Sequence, residues 1–153
     1  MKYQGYFALA RPLGEIMAEA WPQWRHPLDL VVPVPLHPQR KRERGYNQSE
    51  LLADVLEQEL GLPSLARALV RSRHTRPQLG LTANEQRANV LDAFTANRSL
   101  VEGKRIMLVD DVFTTGSTLS AAADALHLAG ANSVTAYCLT TAAQLPVNKV
   151  DLP

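Results

Sequence analysis

Two aspartates stand side by side where an apolar run ends in IMLVDDVFTTGST, Ile106 to Thr118. Neighbouring carboxylates repel, which raises the cost of ionising both, so the pair calls for a use. A strand that ran on through both would send one carboxylate to each face and leave one needing a partner under a covering helix. A strand ending near Val109 lets Asp110 and Asp111 both reach a cleft, where they can accept hydrogen bonds from adjacent hydroxyls such as a ribose diol. The next residues supply the complementary chemistry. Thr114, Thr115, Gly116, Ser117 and Thr118 form a short hydroxyl-rich loop feeding a helix, and its backbone N–H groups suit a phosphate. Gly116 allows close backbone approach. A diol reader followed by a phosphate cradle describes a ribose 5-phosphate site.

Those residues need a frame. LDLVVPVPL, Leu28 to Leu36, reads as a buried strand ended by Pro33 and Pro35. HPQRKRERGYNQ, His37 to Gln48, reads as a polar, basic loop. Asn47 or Ser49 can cap the helix that follows, in which Leu52, Val55, Leu56 and Leu60 share one face before Gly61 and Pro63 stop it. A helix is expected from Pro12, in its first turn, to about Ala20, and a strand near Ala66 to Val70. Thr82 and Glu85 have capping-box spacing for a short helix, and LDAFTA is a strand candidate. Ile106 to Val109 is a clear strand. STLSAAADALHLAGA is a helix with Leu119, Ala122, Leu126 and Ala129 on one face, and SVTAYCL is a further strand. Strands alternating with helices give an α/β fold with a mostly parallel sheet flanked by helices, whose ligands bind beyond the carboxyl ends of the strands. Residues 1–142 are read as one domain, with 1–27 as a hood or N-terminal extension and 143–153 as a C-terminal tail.

The chain has 153 residues, 46% of them hydrophobic, and a formal net charge of +1. A general nucleic-acid binder is usually more basic. Only four of the sixteen cationic residues are lysines, and arginine forks suit phosphate better than lysine does. Cys138 is the single cysteine, which excludes an internal disulfide and a cysteine-built zinc site; it reads as a small buried hydrophobe. His26, His37, His74 and His127 show no metal-ligand spacing. No apolar run approaches the roughly twenty residues that span a bilayer, so no membrane insertion and a cytoplasmic location are expected. Trp21 and Trp24 fit either packing under the sheet or a hood over the site.

VDDVFTTGST resembles the ribose-phosphate signature of type I phosphoribosyltransferases. Together with VVPVPLHPQRKRERGYNQSELLA and RSRHTRPQLGLTANEQRANVLDAF, in this order, it resembles the ComF family of phosphoribosyltransferase-like proteins, including the GntX type. The resemblance covers roughly Leu28 to Leu139. It implies that Asp110 and Asp111 contact the ribose hydroxyls of phosphoribosyl pyrophosphate and that Thr114 to Thr118 hold its 5-phosphate. Val34, Pro35 and Leu36 match a pyrophosphate-binding loop, with Arg44, Arg76 and Arg87 in or beside the loops that close over it. It further implies a magnesium ion carried by the substrate and reached indirectly by Asp110 and Asp111. Two departures stand out. Many ComF relatives carry an amino-terminal four-cysteine zinc module that this chain lacks. Thr114 occupies a position where purine-salvage relatives often place an aspartate, which points away from a 6-oxopurine acceptor.

Other readings compete. Receiver domains also place an acidic pair after a strand, but they need a lysine on a later strand, and here Lys149 falls in the tail. A purely structural acidic cap leaves the hydroxyl-rich loop unexplained. The run RKRERG is by itself a solvated loop, and beside a pyrophosphate site it becomes an anion contact. The resemblance therefore leaves two functions: phosphoribosyl transfer to an unidentified nucleophile, or a non-catalytic accessory role in DNA uptake that senses the ligand or binds single-stranded DNA. Partners are phosphoribosyl pyrophosphate or, on the second reading, single-stranded DNA or DNA-uptake proteins, and a homo-oligomer is compatible with either.

Overall fold

The computed structural model describes residues 4–21, 27–71 and 93–142. Its main sheet is parallel. Strand β1 (Leu30–Pro33) pairs with β4 (Arg105–Phe113), Leu30 opposite Ile106 and Pro33 opposite Val109. On its other edge β4 pairs with β5 (Ser133–Thr141), from Arg105 opposite Ser133 to Phe113 opposite Thr141. The order β1-β4-β5 puts β4 in the centre.

Ile106, Met107, Leu108 and Val109 are all fully buried because both faces of β4 are covered, the situation that selects a continuous apolar run over an alternating one. Ile106 and Leu108 pack with Leu119, Ala122 and Leu126 of α5 (Ser117–Leu128). Met107 and Val109 pack with Leu52 and Leu56 of α3 (Gln48–Leu60) and with Met17 of α1 (Gln4–Ala20). Burying each such side chain contributes about 1.5–3 kcal/mol, so the strand that carries the aspartates is held from both sides.

Several expectations need correction. Helix α1 starts at Gln4, so Pro12 lies inside it rather than in its first turn. This helix docks closely on α3, where a Cβ at Gly14 would lie 2.6 Å from that of Val55. The basic segment after β1 is not all loop, for Pro38–Arg44 forms helix α2 without burying any residue. Its ends hold it instead. His37 Nδ1 accepts from the backbone N–H of Gln39 at 3.2 Å, and Gly45 closes it with φ of 79°. Near Ala66 a 3-10 turn (Ala66–Ala68) leads into β2 (Leu69–Arg71), which pairs antiparallel with β3 (Phe94–Ala96) in a separate small sheet. Finally, β4 does not end near Val109; it continues through both aspartates, bonded to β5 as far as Phe113.

A short helix α4 (Arg98–Val101) precedes β4. At the amino end of β4, Arg105 donates to Asp29 from its backbone and from its guanidinium, at 2.7–3.0 Å, which holds the Asp29 carboxyl well below the usual carboxylate range. Trp21 packs edge-on against Tyr137 at 5.0 Å, under the sheet. The short helix expected from Thr82 to about Asn89, Trp24, His26, His74 and the tail lie outside the described residues.

Candidate functional site

The carboxyl end of β4 delivers Asp110 and Asp111 to opposite sides. Asp110 Oδ1 accepts from Ser49 Oγ at 2.8 Å and from the Asp111 backbone N–H at 3.0 Å. Its burial pushes the carboxyl up to about 6, with the Asp111 charge adding to the rise and the two hydrogen bonds opposing it. Desolvation wins because two donors only partly replace a hydration shell. Asp111 instead lines a mostly apolar pocket of about 200 Å³, with Leu9, Leu13, Tyr46, Gln48, Leu51 and Leu139. The expectation that the strand ends near Val109 is thus replaced by a strand that runs on through both carboxylates, and α3 reaches the two of them, with Ser49 at Asp110 and Gln48, Leu51 and Leu52 around Asp111. The partner that an aspartate on a covered face requires is Ser49, in the first turn of α3.

The hydroxyl-rich loop is built as the sequence suggests. Thr114, Thr115 and Gly116 form a bend, and α5 begins at Ser117. Gly116 has φ of 77°, and a Cβ there would lie 3.0 Å from the Phe113 ring, so both the backbone and the space select glycine. Thr115 Oγ1 lies 3.0 Å from Ser117 Oγ. Thr114, Thr115 and Ser117 are exposed and Thr118 is half-buried. The first N–H groups of α5 have no partner within the helix, which leaves a cradle of donors one step from Asp111.

The end of β1 is fixed at the same edge. The Val34 N–H donates to the Val109 carbonyl at 2.8 Å, and the Val34 carbonyl accepts from Asn47 Nδ2 at 3.0 Å. Asn47 also accepts from the Ser49 N–H at 3.1 Å, so one buried amide caps α3, pins the chain after β1 and sets Ser49 beneath Asp110. Pro35 and Leu36 open onto a cleft of about 510 Å³ whose walls carry Lys41, Arg42, Arg67 and Arg71. Lys41 is paired with Glu50 at 2.8 Å. Arg44 is exposed on α2 but is not among the residues lining this cleft; Arg76 and Arg87 lie outside the described residues. Of the wall residues, Arg42 falls in the run RKRERG that the sequence marks as an anion contact, whereas sequence reasoning missed Arg67 and Arg71 and treated Ser49 only as a cap. The available signal was the spacing of Asn47 and Ser49, which places two polar side chains at the buried start of an apolar helix.

Cys138 stands opposite Asp110 in the ladder and packs half-buried against the core. Burial, with the Asp110 charge adding, pushes its thiol up to about 11, which keeps it protonated and non-nucleophilic at neutral pH. Among the described residues no group of three or more His, Cys, Asp or Glu side chains could hold a metal ion, and no helix is long and apolar enough to cross a membrane.

A parallel sheet with a Thr/Gly loop and an acidic pair at its carboxyl edge is the arrangement of the phosphoribosyltransferase class, and residues 46–152 match the family described as phosphoribosyl transferase domain. The chain belongs to that family, as a ComF-type member. It is 34% identical over 149 residues to "Competence protein F" of Haemophilus influenzae, covering 92% of this chain and 65% of that protein. It is 39% identical over 111 residues to "DNA utilization protein YhgH" of Escherichia coli K12, covering 72% of this chain and 48% of that one. "Competence protein ComFC" of Bacillus subtilis is 33% identical, with 72% and 43% covered. The chain therefore spans between two fifths and two thirds of these relatives. Among solved structures it is similar to the glutamine phosphoribosylpyrophosphate amidotransferase of B. subtilis, with TM-score 0.63, 24% identity, and 87% of this chain and 26% of that one covered. The adenine phosphoribosyltransferase of Leishmania tarentolae gives TM-score 0.55 at 17% identity, with 88% and 58% covered. These likenesses show the fold, that of type I phosphoribosyltransferases.

Proposed function

We propose that the protein binds phosphoribosyl pyrophosphate with magnesium and transfers its phosphoribosyl group to a nucleophile. The observation that carries this reading is the unit from Asp110 to Ser117, in which two carboxylates on β4 lead through a left-handed Gly116 into the N-terminus of α5. The 5-phosphate would sit on the Thr114 to Thr118 loop, and the aspartates would accept from the ribose hydroxyls. Hydrogen bonds to charged acceptors contribute about 1.5–3 kcal/mol each. Ser49 holds Asp110 in place for that contact. The pyrophosphate would lie beyond Val34 to Leu36, facing the basic cleft, with Arg44, Arg76 and Arg87 as further contacts from the closing segments. Displacement at the anomeric carbon would pass through an oxocarbenium-like transition state, and the arginines would stabilise the negative charge gathering on the leaving group.

The donor set suits magnesium in this role. Magnesium takes one or two carboxylates and completes its octahedron with water and phosphate oxygens, so two aspartates fit it where a full protein-built shell is missing among the described residues. Bound there through the substrate, it would neutralise the departing pyrophosphate.

A second reading rests on the relatives' names, which speak of competence and DNA utilization, and on Arg40, Arg42 and Arg44, all exposed on α2. On this reading the chain serves DNA uptake as an accessory protein that binds single-stranded DNA through phosphate contacts.

Calorimetry with phosphoribosyl pyrophosphate and magnesium tests the first reading. Saturable binding is expected, and the Asp110→Asn, Asp111→Asn variant should lose it. Absence of binding at millimolar ligand overturns the reading. DNA affinity that falls steeply with salt, and no longer does so in an Arg40, Arg42 and Arg44 triple alanine variant, would establish the second.

A further inference from the structure

Asn47 and Ser49 are 1% and 3% exposed, in a core that is otherwise largely apolar. Capping α3 does not by itself call for asparagine, because serine or aspartate accepts from the first N–H groups of a helix equally well. Asparagine differs in accepting on one atom and donating from another. Here Oδ1 takes the Ser49 N–H at 3.1 Å, and Nδ2 donates to the Val34 carbonyl at 3.0 Å. The segment that Nδ2 grips has few other holds. Pro33 and Pro35 carry no N–H, so between them Val34 supplies the one backbone donor, given to the Val109 carbonyl at 2.8 Å. Both ties of Val34 lead to Asp110. One runs through Val109, the residue before it in β4. The other runs through Asn47 to Ser49, whose Oγ donates to Asp110 Oδ1 at 2.8 Å. The bonds close a ring that joins the ends of β1 and β4 through the start of α3.

We propose that Asn47 couples the two ends of the site, so that a ligand on the segment after β1 and a ligand on Asp110 and the Thr114 to Thr118 loop each bind more tightly when the other is present. The bond from Asn47 to Val34 has two states, made and broken. A ligand that fixes Val34 to Leu36 and one that fixes Asp110 both favour the made state. Whichever binds second finds the ordering cost already met, and linkage makes the gain equal in both directions. Asn47 touches neither ligand; it is a positioning residue, acting through Val34 on one side and Ser49 on the other. Which ligands meet at the two ends rests on the phosphoribosyl reading, whereas their coupling rests on the ring of hydrogen bonds.

The test is a set of titrations of the whole chain, with magnesium present, using inorganic pyrophosphate and ribose 5-phosphate, each alone and each against the chain saturated with the other. Either ligand should bind about fivefold more tightly, or better, when the other is bound. Asn47→Ser keeps an oxygen for the α3 cap but is too short to reach the Val34 carbonyl, and it should abolish that gain. A merely structural role would weaken both ligands and leave the gain in place. The Asn47 side-chain amide protons of the unaltered protein should also exchange more slowly once ribose 5-phosphate alone is added, a readout that stands even where Asn47→Ser does not fold. Independent binding in the unaltered protein, an undiminished gain in a folded Asn47→Ser protein, or amide exchange unmoved by ribose 5-phosphate overturns the inference. If that happens while both ligands bind, the phosphoribosyl reading survives. If either ligand fails to bind at millimolar concentration, the phosphoribosyl reading falls and takes the coupling with it.

Discussion

Beyond the end of β1 a cleft of about 510 Å³ carries Lys41, Arg42, Arg67 and Arg71 on its walls, and the charge of Asp110 reaches Arg71. On the Asp111 side Leu9, Leu13, Leu51 and Leu139 enclose about 200 Å³. Two neighbouring residues of one strand therefore meet different surroundings because strand side chains alternate, although α3 reaches both, with Ser49 at Asp110 and Leu51 and Leu52 beside Asp111. The basic wall is assembled largely from parts that bury little, above all α2, which buries no residue. The apolar wall continues into the core through Leu52. Charge for a ligand is thus placed where it can be changed without unfolding the sheet, and the opposite pocket is bound up with stability.

The sharpest way to break this contrast is to cut both walls. Leu52 is 3% exposed, and Leu52→Ala should cost about 2–5 kcal/mol through lost burial and a cavity. Arg42→Ala, on an exposed helix, should stay within about 0.5 kcal/mol. Urea unfolding measures both. Comparable losses would mean that the basic wall is structural after all.

Asp110 gives the next largest effect, with the opposite sign. Its carboxyl is pushed up to about 6 from the ordinary 3.8, so between those values the folded chain binds a proton that the unfolded chain has released. This group's contribution to stability is therefore highest below pH 4 and falls as pH rises to about 6, where the buried carboxylate must stay ionised. Asp110→Asn removes that penalty. It should stabilise the fold by about 1–3 kcal/mol at pH 7 and by almost nothing at pH 4, while weakening ribose-phosphate binding. Unfolding curves at the two pH values decide it, and equal gains at both would rule out ionisation as the cause.

The loop from Thr114 to Thr118 was legible in the sequence because a glycine after an apolar strand and before an amphipathic helix leaves little choice. Two other features were not. PQRKRER has no apolar periodicity, so helix α2 could not be read from burial; His37, Gly45 and the Gln39 to Glu43 contact at 3.0 Å hold it. The end of β4 was misplaced because two carboxylates on opposite faces looked too costly, and the relief comes from Ser49, 61 residues away. Arg71 was lost among its neighbouring arginines, since its burial depends on a fold-level contact with Phe94.

Ser49 yields a smaller effect that isolates one hydrogen bond. Ser49→Ala removes the donor that opposes the upward push on Asp110, so the carboxyl should titrate about 1 pH unit higher, the equivalent of a single bond to a charged acceptor. Carbon-13 NMR of the Asp110 carboxyl follows this directly. An unchanged titration would show that water takes the place of the hydroxyl and that the Asp110 side is wetter than its burial suggests.

The smallest effect tests the electrostatic character of the basic wall itself. Glu50 pairs with Lys41 across from α3 to α2, with side chains 28% and 50% exposed. Pairs of that exposure are worth about 0–1 kcal/mol, so Glu50→Gln should barely move the unfolding midpoint. It frees the ammonium, however, and removes the one carboxylate among the described residues lining the cleft. If the cleft attracts anions by summed charge, pyrophosphate should bind about two- to fivefold more tightly to Glu50→Gln, with the gain fading as salt screens it. Weaker binding would mean that Glu50 orients Lys41 for the ligand, making the pair a shaped contact, and would move the weight of recognition from net charge to geometry.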